Sequence, residues 1–349
     1  MPNMQRRSDV LAVLLVTLLL AVVLPALLDP FRLNLIGKYL AFGFVAVGIV
    51  LTWGYGGVLS LGQGMFFGLG GYMMAMFLKL EASAPELPDF MVWSSVEQLP
   101  IWWQPFHSLG WTLFALLLIP AVLAYVFSYA IFRKRVSGVY FAIVTLSLAL
   151  TLTVVVIGQQ GDTGGANGIT DFRTLLGWDI LSDTAKRTMY FIEVAAMVLV
   201  MMVSLAIVRS RFGKILIAIR DREDRVRFSG YDTAHMKAFV FAVAAVLSSI
   251  GGAFYSLQVG LIAPSVIGVV ASVEMVIYAA VGGRLSIPGA VVGALLIGFM
   301  KSYLSEIFPE GWLYFLGAAF ILVVWAMPNG LAGLTDHLPW QRKARAARS

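Results

Sequence analysis

Runs of about twenty mostly apolar residues recur along this 349-residue chain and constrain it more than any other feature. Crossing about 30 Å of hydrocarbon takes about 20 such residues in a helix, because bilayer-embedded backbone must satisfy its amides without water. The runs are read at 10–28, 35–53, 64–80, 111–132, 137–157, 189–208, 238–257, 269–282, 288–304 and 312–327. Only 13% of residues are charged, against roughly 25% in an average soluble protein. The expectation is an all-α polytopic membrane protein, one domain over 1–349, with about ten transmembrane helices and glycine-rich breaks.

Lys and Arg near span ends stay on the cytoplasmic side. Ten spans with both termini cytoplasmic place Arg6, Arg7, Arg133, Lys134, Arg135, the basic residues between Arg209 and Lys237, Arg284, Arg342, Lys343, Arg345 and Arg348 inside. Shifting the parity by one span reverses that bias. Topogenic charge and anionic lipid account for the net charge of +6, so nucleic acid is not expected as a partner. The first run follows Arg6 and Arg7, is longer than a usual signal core, and ends in Leu28-Asp29-Pro30 without a small-residue cleavage site. It is read as a span.

Little chemistry is on offer. Zero cysteines exclude disulfides and thiolate ligands, and the three histidines, His107, His235 and His337, are scattered, so no metal site is expected. There is no phosphate-binding Gly-x-x-x-x-Gly-Lys-Ser/Thr string and no Ser-His-Asp or His-Glu-x-x-His arrangement. The chain reads as a non-enzyme without catalytic residues or cofactor. If ATP drives it, a separate subunit binds that ATP.

The stretch Trp53 to Tyr72 is rich in glycine where the second span meets the third. Non-helical backbone at membrane depth is tolerated where it is buried in protein or lines a watery cavity. A translocation path is one reading, with Ser60, Gly62, Gln63 and Gly64 as its candidates; close helix packing through Gly64 and Gly68 is the other. A similar string returns at Gly282-Gly283-Arg284-Leu285-Ser286-Ile287-Pro288-Gly289, against Gly56 to Gln63. Both fall at expected cytoplasmic turns between a descending and an ascending span, as a duplicated transporter half produces, or by chance. Ser286 joins the path candidates.

Two outer loops stand out. Glu81 to Gly110, with four prolines and Trp93, Trp102, Trp103 and Trp111 in or beside it, is expected to be mostly irregular and interfacial. Gly161-Asp162-Thr163-Gly164-Gly165-Ala166-Asn167-Gly168 is a tight turn or a gate at the pore mouth. Glu193, Glu274 and Lys301 fall in the outer parts of their spans, where snorkelling makes charge tolerable; a Glu274–Lys301 pair is possible, and Glu274 is also a path candidate. No carboxylate or histidine is placed at the midplane, as a proton-coupled carrier would need.

Charge concentrates between Arg209 and Lys237. Ile215 to Ile219 form an apolar patch followed by mixed charge, consistent with a short amphipathic helix that sits in a groove of a soluble partner. A solvated loop that only sets topology is the simpler reading.

Gly56 to Tyr72, Thr163 to Ile169, Arg209 to Tyr231 and the Gly282-Gly283 with Pro288-Gly289 stretch together resemble permeases of branched-chain amino acid and amide ABC importers, over about residues 35–335. The likeness is strongest to the urea-type permease of the second membrane-subunit class. That resemblance implies a bacterial inner-membrane subunit paired with a sister permease, two cytoplasmic ATPases and an extracytoplasmic solute-binding protein. It maps a coupling segment onto this chain at Arg211, Lys214, Arg220, Asp221, Arg222, Glu223 and Arg225. Relatives often carry an Arg-Glu-Asn/Asp string where this chain reads Arg220-Asp221-Arg222-Glu223-Asp224. The implied function is ATP-energised import of urea. A branched-chain amino acid permease and a passive urea or amide channel are the alternatives.

Overall fold

The computed structural model describes residues 2–172, 174–180 and 182–312, with 314, 315, 317, 318, 321, 325 and 330–333; side chains are described from Val10 onward. The expected span at 312–327 lies largely outside the described residues. So do Arg342, Lys343, Arg345 and Arg348, and the side chains of Arg6 and Arg7.

Helix α1 (Pro2–Leu18) passes through a π-helical turn (Leu19–Val23) into α2 (Leu24–Leu27). Asp29 caps α3 (Pro30–Ile49), its carboxylate accepting from the Arg32 amide at 2.9 Å, and Pro30 occupies the first turn, where a missing N–H is harmless. A second π turn (Val50–Tyr55) extends α3, a seven-residue break follows, and α4 (Gln63–Ser83) begins. The loop after α4 is mostly irregular. It contains α5 (Asp89–Trp93) and a 3-10 turn (Gln104–His107) before α6 (Leu109–Arg133).

Beyond α7 (Val139–Gly158), α8 (Gln160–Thr163) and a two-residue hairpin, β1 (Thr174–Leu175) with β2 (Trp178–Asp179), lead to α9 (Asp183–Arg209). Then come α10 (Arg211–Phe228), α11 (Thr233–Val259), α12 (Val269–Gly282) and α13 (Ile287–Ile307).

Seven described segments are long and apolar enough to cross a membrane: Val10–Leu27, Pro30–Tyr55, Leu109–Arg133, Val139–Gly158, Asp183–Arg209, Thr233–Val259 and Ile287–Ile307. Two further expected spans, α4 and α12, do not meet that standard. At 14 residues α12 is about 21 Å long, short of the hydrocarbon thickness. At 21 residues α4 is long enough, but it carries Gln63, four glycines, Lys79 and Glu81, and 17 of its residues are buried. A helix enclosed by other helices does not meet lipid and so need not be uniformly apolar.

The bundle is built in shells. Helix α11 packs against α3, α4 and α6, and α13 against α3 and α12, with Phe42 of α3 stacked on Phe67 of α4 at 5.0 Å. Of their most apolar stretches, 78% is buried in α3 and 72% in α11, but only 28% in α6 and in α7. The outer helices show their leucines and valines to lipid.

The turns sort onto two ends. Lys237 lies over the Phe132 ring at 5.2 Å, Tyr125 hydrogen-bonds His235 at 2.7 Å, and the Tyr55 hydroxyl donates to the Leu285 carbonyl at 2.8 Å. Arg133 to Arg135, α10 and Arg284 therefore share one basic end. At the opposite end Arg187 donates to the Pro25 carbonyl, and Ile169 pairs with Ile262 through two backbone hydrogen bonds.

Candidate functional site

The expected path residues Ser60, Gly62, Gln63 and Gly64 come together at the break between α3 and α4. Its backbone is non-helical yet buried, so its amides need partners. Val58 N–H donates to Thr52 O, Leu61 N–H to Thr145 Oγ1, and Gly62 N–H to Ser60 Oγ. A Cβ at Gly62 would sit 2.2 Å from the Thr145 carbonyl, so α7 closes directly over the break.

Gln63 then opens α4 fully enclosed. Its Oε1 accepts from Ser248 of α11 at 2.9 Å, and its Nε2 and the neighbouring Ser249 hydroxyl have no partner.

Close packing, the other reading of the glycines, is seen directly. Gly64 lies against Ser272 and Ile267, Gly68 against Ile267, and Gly70 against the Ser249 carbonyl, at distances that admit no side chain. The two readings are compatible because the glycines that bring α4, α11 and α12 together sit just beyond the break.

The basic end grips the break. Arg220 Nη1 donates to the Gly54 carbonyl at 2.7 Å, its Nε pairs with Asp221 at 3.0 Å, and its aliphatic stem packs over Gly57. Gly57 has φ +69, a backbone conformation glycine adopts at little cost. The second glycine string meets the first here: a Cβ at Gly54 would lie 1.7 Å from the Arg284 carbonyl. Ser286 caps α13 by accepting from Gly289 N at 3.1 Å; it belongs to this end and is not joined to Gln63.

Helix α10 is amphipathic and longer than the apolar patch alone indicates. Gly213, Leu216 and Ile219 are buried, whereas Arg211, Lys214, Arg222 and Arg225 stand exposed. The helix kinks at Arg222 (φ −153, ψ 77). Past the kink Glu223 accepts from Lys237 Nζ at 2.6 Å, Arg227 Nη2 at 2.9 Å and Thr233 Oγ1 at 3.0 Å. Burial pushes the Glu223 carboxyl up, but these hydrogen bonds and the charges of Lys237 and Arg227 outweigh it and hold it below the usual carboxylate range.

At the opposite end Glu274 accepts from Lys301 Nζ at 2.8 and 2.9 Å, and Tyr278 donates to it at 3.3 Å. The pair foreseen as possible is formed, away from Gln63. Snorkelling does not describe these acids. Glu193 is wholly buried and Glu274 nearly so, because both turn inward against neighbouring helices.

The Gly161–Gly168 loop lines a chamber of about 110 Å³ at the same end, with Lys79, Asp89, Phe90 and Asn167 among its walls. Lys79, almost fully buried, is 2.6 Å from Asp89. Gly168, at φ +73, lies too close to the Ile262 carbonyl for a side chain. Sequence reasoning passed over Lys79, Asp89 and Ser248, which lie on or next to apolar helices and carry no motif of their own. Among the described residues no group of three or more His, Cys, Asp or Glu is placed to hold a metal ion.

The chain is a bundle of apolar helices, several able to span a membrane, with an amphipathic helix latched onto a glycine break from outside. The chain belongs to the family described as branched-chain amino acid transport system / permease component, which matches residues 31–324. It is 22% identical over 346 residues to the high-affinity branched-chain amino acid transport system permease protein LivM of Salmonella typhimurium, covering 92% of this chain and 75% of the relative. It is 21% identical to the ribose import permease protein RbsC of Haemophilus influenzae, covering 86% of this chain and 85% of that protein. BraD of Pseudomonas aeruginosa, a high-affinity branched-chain amino acid permease, is 29% identical over 131 residues, covering 37% of this chain and 42% of BraD. No solved structure matches. The relatives are transport permeases rather than enzymes, and the chain is a multi-pass protein of the bacterial inner membrane.

Proposed function

We propose that the chain is one permease subunit of a binding-protein-dependent ABC importer, driven by ATPases that dock on α10. The contact of Arg220 with Gly54 carries this reading, because it joins an exposed, charged helix directly to the non-helical segment that opens α4. Rocking of α10 on a partner then displaces the break as a rigid-body movement. The basic end is the cytoplasmic one, α4 adds a crossing enclosed by its neighbours, and a sister permease, two ATPases and a solute-binding protein complete the machine.

The solute is small and neutral or zwitterionic. The likeness to LivM and BraD favours a branched-chain amino acid, and the motif likeness favours urea. Gln63 Nε2 and the Ser249 hydroxyl offer hydrogen bonds to either. Uptake of labelled leucine and labelled urea, with and without the chain and before and after ATP depletion, tests both. ATP-dependent uptake of one solute assigns the branch. Uptake that needs the chain, survives ATP depletion and tolerates a neutral linker in place of Arg211 to Asp232 identifies a passive channel and overturns the importer.

A further inference from the structure

Glu193 of α9 is 0% exposed, and Gln258 near the end of α11 is 5% exposed. Gln258 Nε2 donates to Glu193 Oε2 at 2.8 Å. The remaining oxygens of the same two side chains, Glu193 Oε1 and Gln258 Oε1, are both buried without a partner. Two acceptors cannot satisfy each other, and a buried carboxylate without a counter-charge is costly.

No compensating charge is at hand. Among the described residues no Lys or Arg forms a salt bridge with Glu193, and Lys301 is held by Glu274. On its own helix, Tyr190 turns its hydroxyl to the Leu20 carbonyl at 2.8 Å. From α3 the facing residue is Gly37, where a Cβ would come 2.6 Å from Gln258 Nε2; its neighbour Lys38 forms no salt bridge with Glu193 among the described residues.

We propose that Glu193 holds a resident proton: its acid O–H donates from Oε1 to Gln258 Oε1 while the Gln258 amide donates to Oε2. The proton comes from water as the chain folds, and no other reactant is needed. The result is an uncharged clamp between α9 and α11, the two helices that carry the ends of α10. It holds whichever solute the chain moves.

Infrared spectra of the full chain in lipid at neutral pH, with and without ¹³C-labelled glutamate, test it. A protonated-acid carbonyl band that moves with the label and disappears in Glu193→Gln is expected. Label shifts confined to ionised carboxylate bands, or an acid band that persists in Glu193→Gln, would overturn it. If Glu193→Gln does not insert, Gln258→Leu gives a second reading. Removing the acceptor shifts the wild-type acid band to higher frequency, and an unmoved band refutes the clamp.

Discussion

The guanidinium of Arg220 reaches the carbonyl of Gly54 across 166 positions of sequence, at 2.7 Å, and so ties α10 to the last turn before the buried break. A charge-assisted hydrogen bond of this kind contributes about 1.5–3 kcal/mol. Arg220→Ala in the assembled importer should lower uptake by roughly 5- to 150-fold while ATP hydrolysis continues, because coupling free energies of about 1–3 kcal/mol correspond to that range. Uptake per ATP hydrolysed checks this. An unchanged ratio would remove Arg220 from the coupling path.

Glycine positions should divide sharply by their surroundings. A Cβ at Gly70 meets the Ser249 carbonyl at 2.0 Å, whereas Gly158 has nothing within 4 Å. Gly70→Ala should destabilise by about 1–3 kcal/mol through overpacking, and Gly158→Ala should be nearly silent. Thermal unfolding of the two variants in the same detergent compares them directly.

Glu274 and Lys301 should behave as a coupled pair. Lys301 also lies over Trp312 at 4.7 Å, so it keeps one favourable contact when Glu274 is removed. A double-mutant cycle with Glu274→Met and Lys301→Met should give a coupling of about 0.5–3 kcal/mol, the double variant being more stable than the single ones predict. Strict additivity would mean that the pair contributes nothing to stability.

Acid stability has a defined sign at Glu223. Its carboxyl is held below the usual range in the folded chain, so its contribution is complete above the unfolded value of about 4.3 and is lost as pH falls through the lower folded value. Glu223→Gln should therefore weaken the protein at neutral pH and flatten the acid side of its stability profile. Melting temperatures between pH 7 and pH 3 show whether wild type and variant converge at the acid end.

Much of the fold can be read in the residues before any coordinates. Length and apolarity mark α3, α6, α9 and α11, and the charged segment from Arg211 marks α10. What escapes reading is which face of each helix meets protein. Glu193 looks like an interface anchor because its neighbours are apolar, yet it lies on the buried face of α9 with Tyr190, Val194 and Met197, while Phe191 and Ile192 stand exposed. Glu274 and Lys301 are legible as a pair because their charges are opposite and their depths match. The partner of Arg220 is a backbone carbonyl, which leaves no signature in side-chain identity. Ser60, Gln63 and their glycines can be singled out by composition, but Ser248 and Thr145, which hold them, are ordinary small polar residues in ordinary helices.

Enclosing α4 has a consequence for life in different lipids. Hydrophobic mismatch acts on surfaces that touch acyl chains, and among the described segments Val10–Leu27, α6 and α7 leave the largest share of theirs unburied. A thicker or thinner bilayer is therefore met by tilt at the periphery. The seam where Gly70 meets Ser249 and Gly252 meets Phe67 keeps its register, insulated from the membrane it serves.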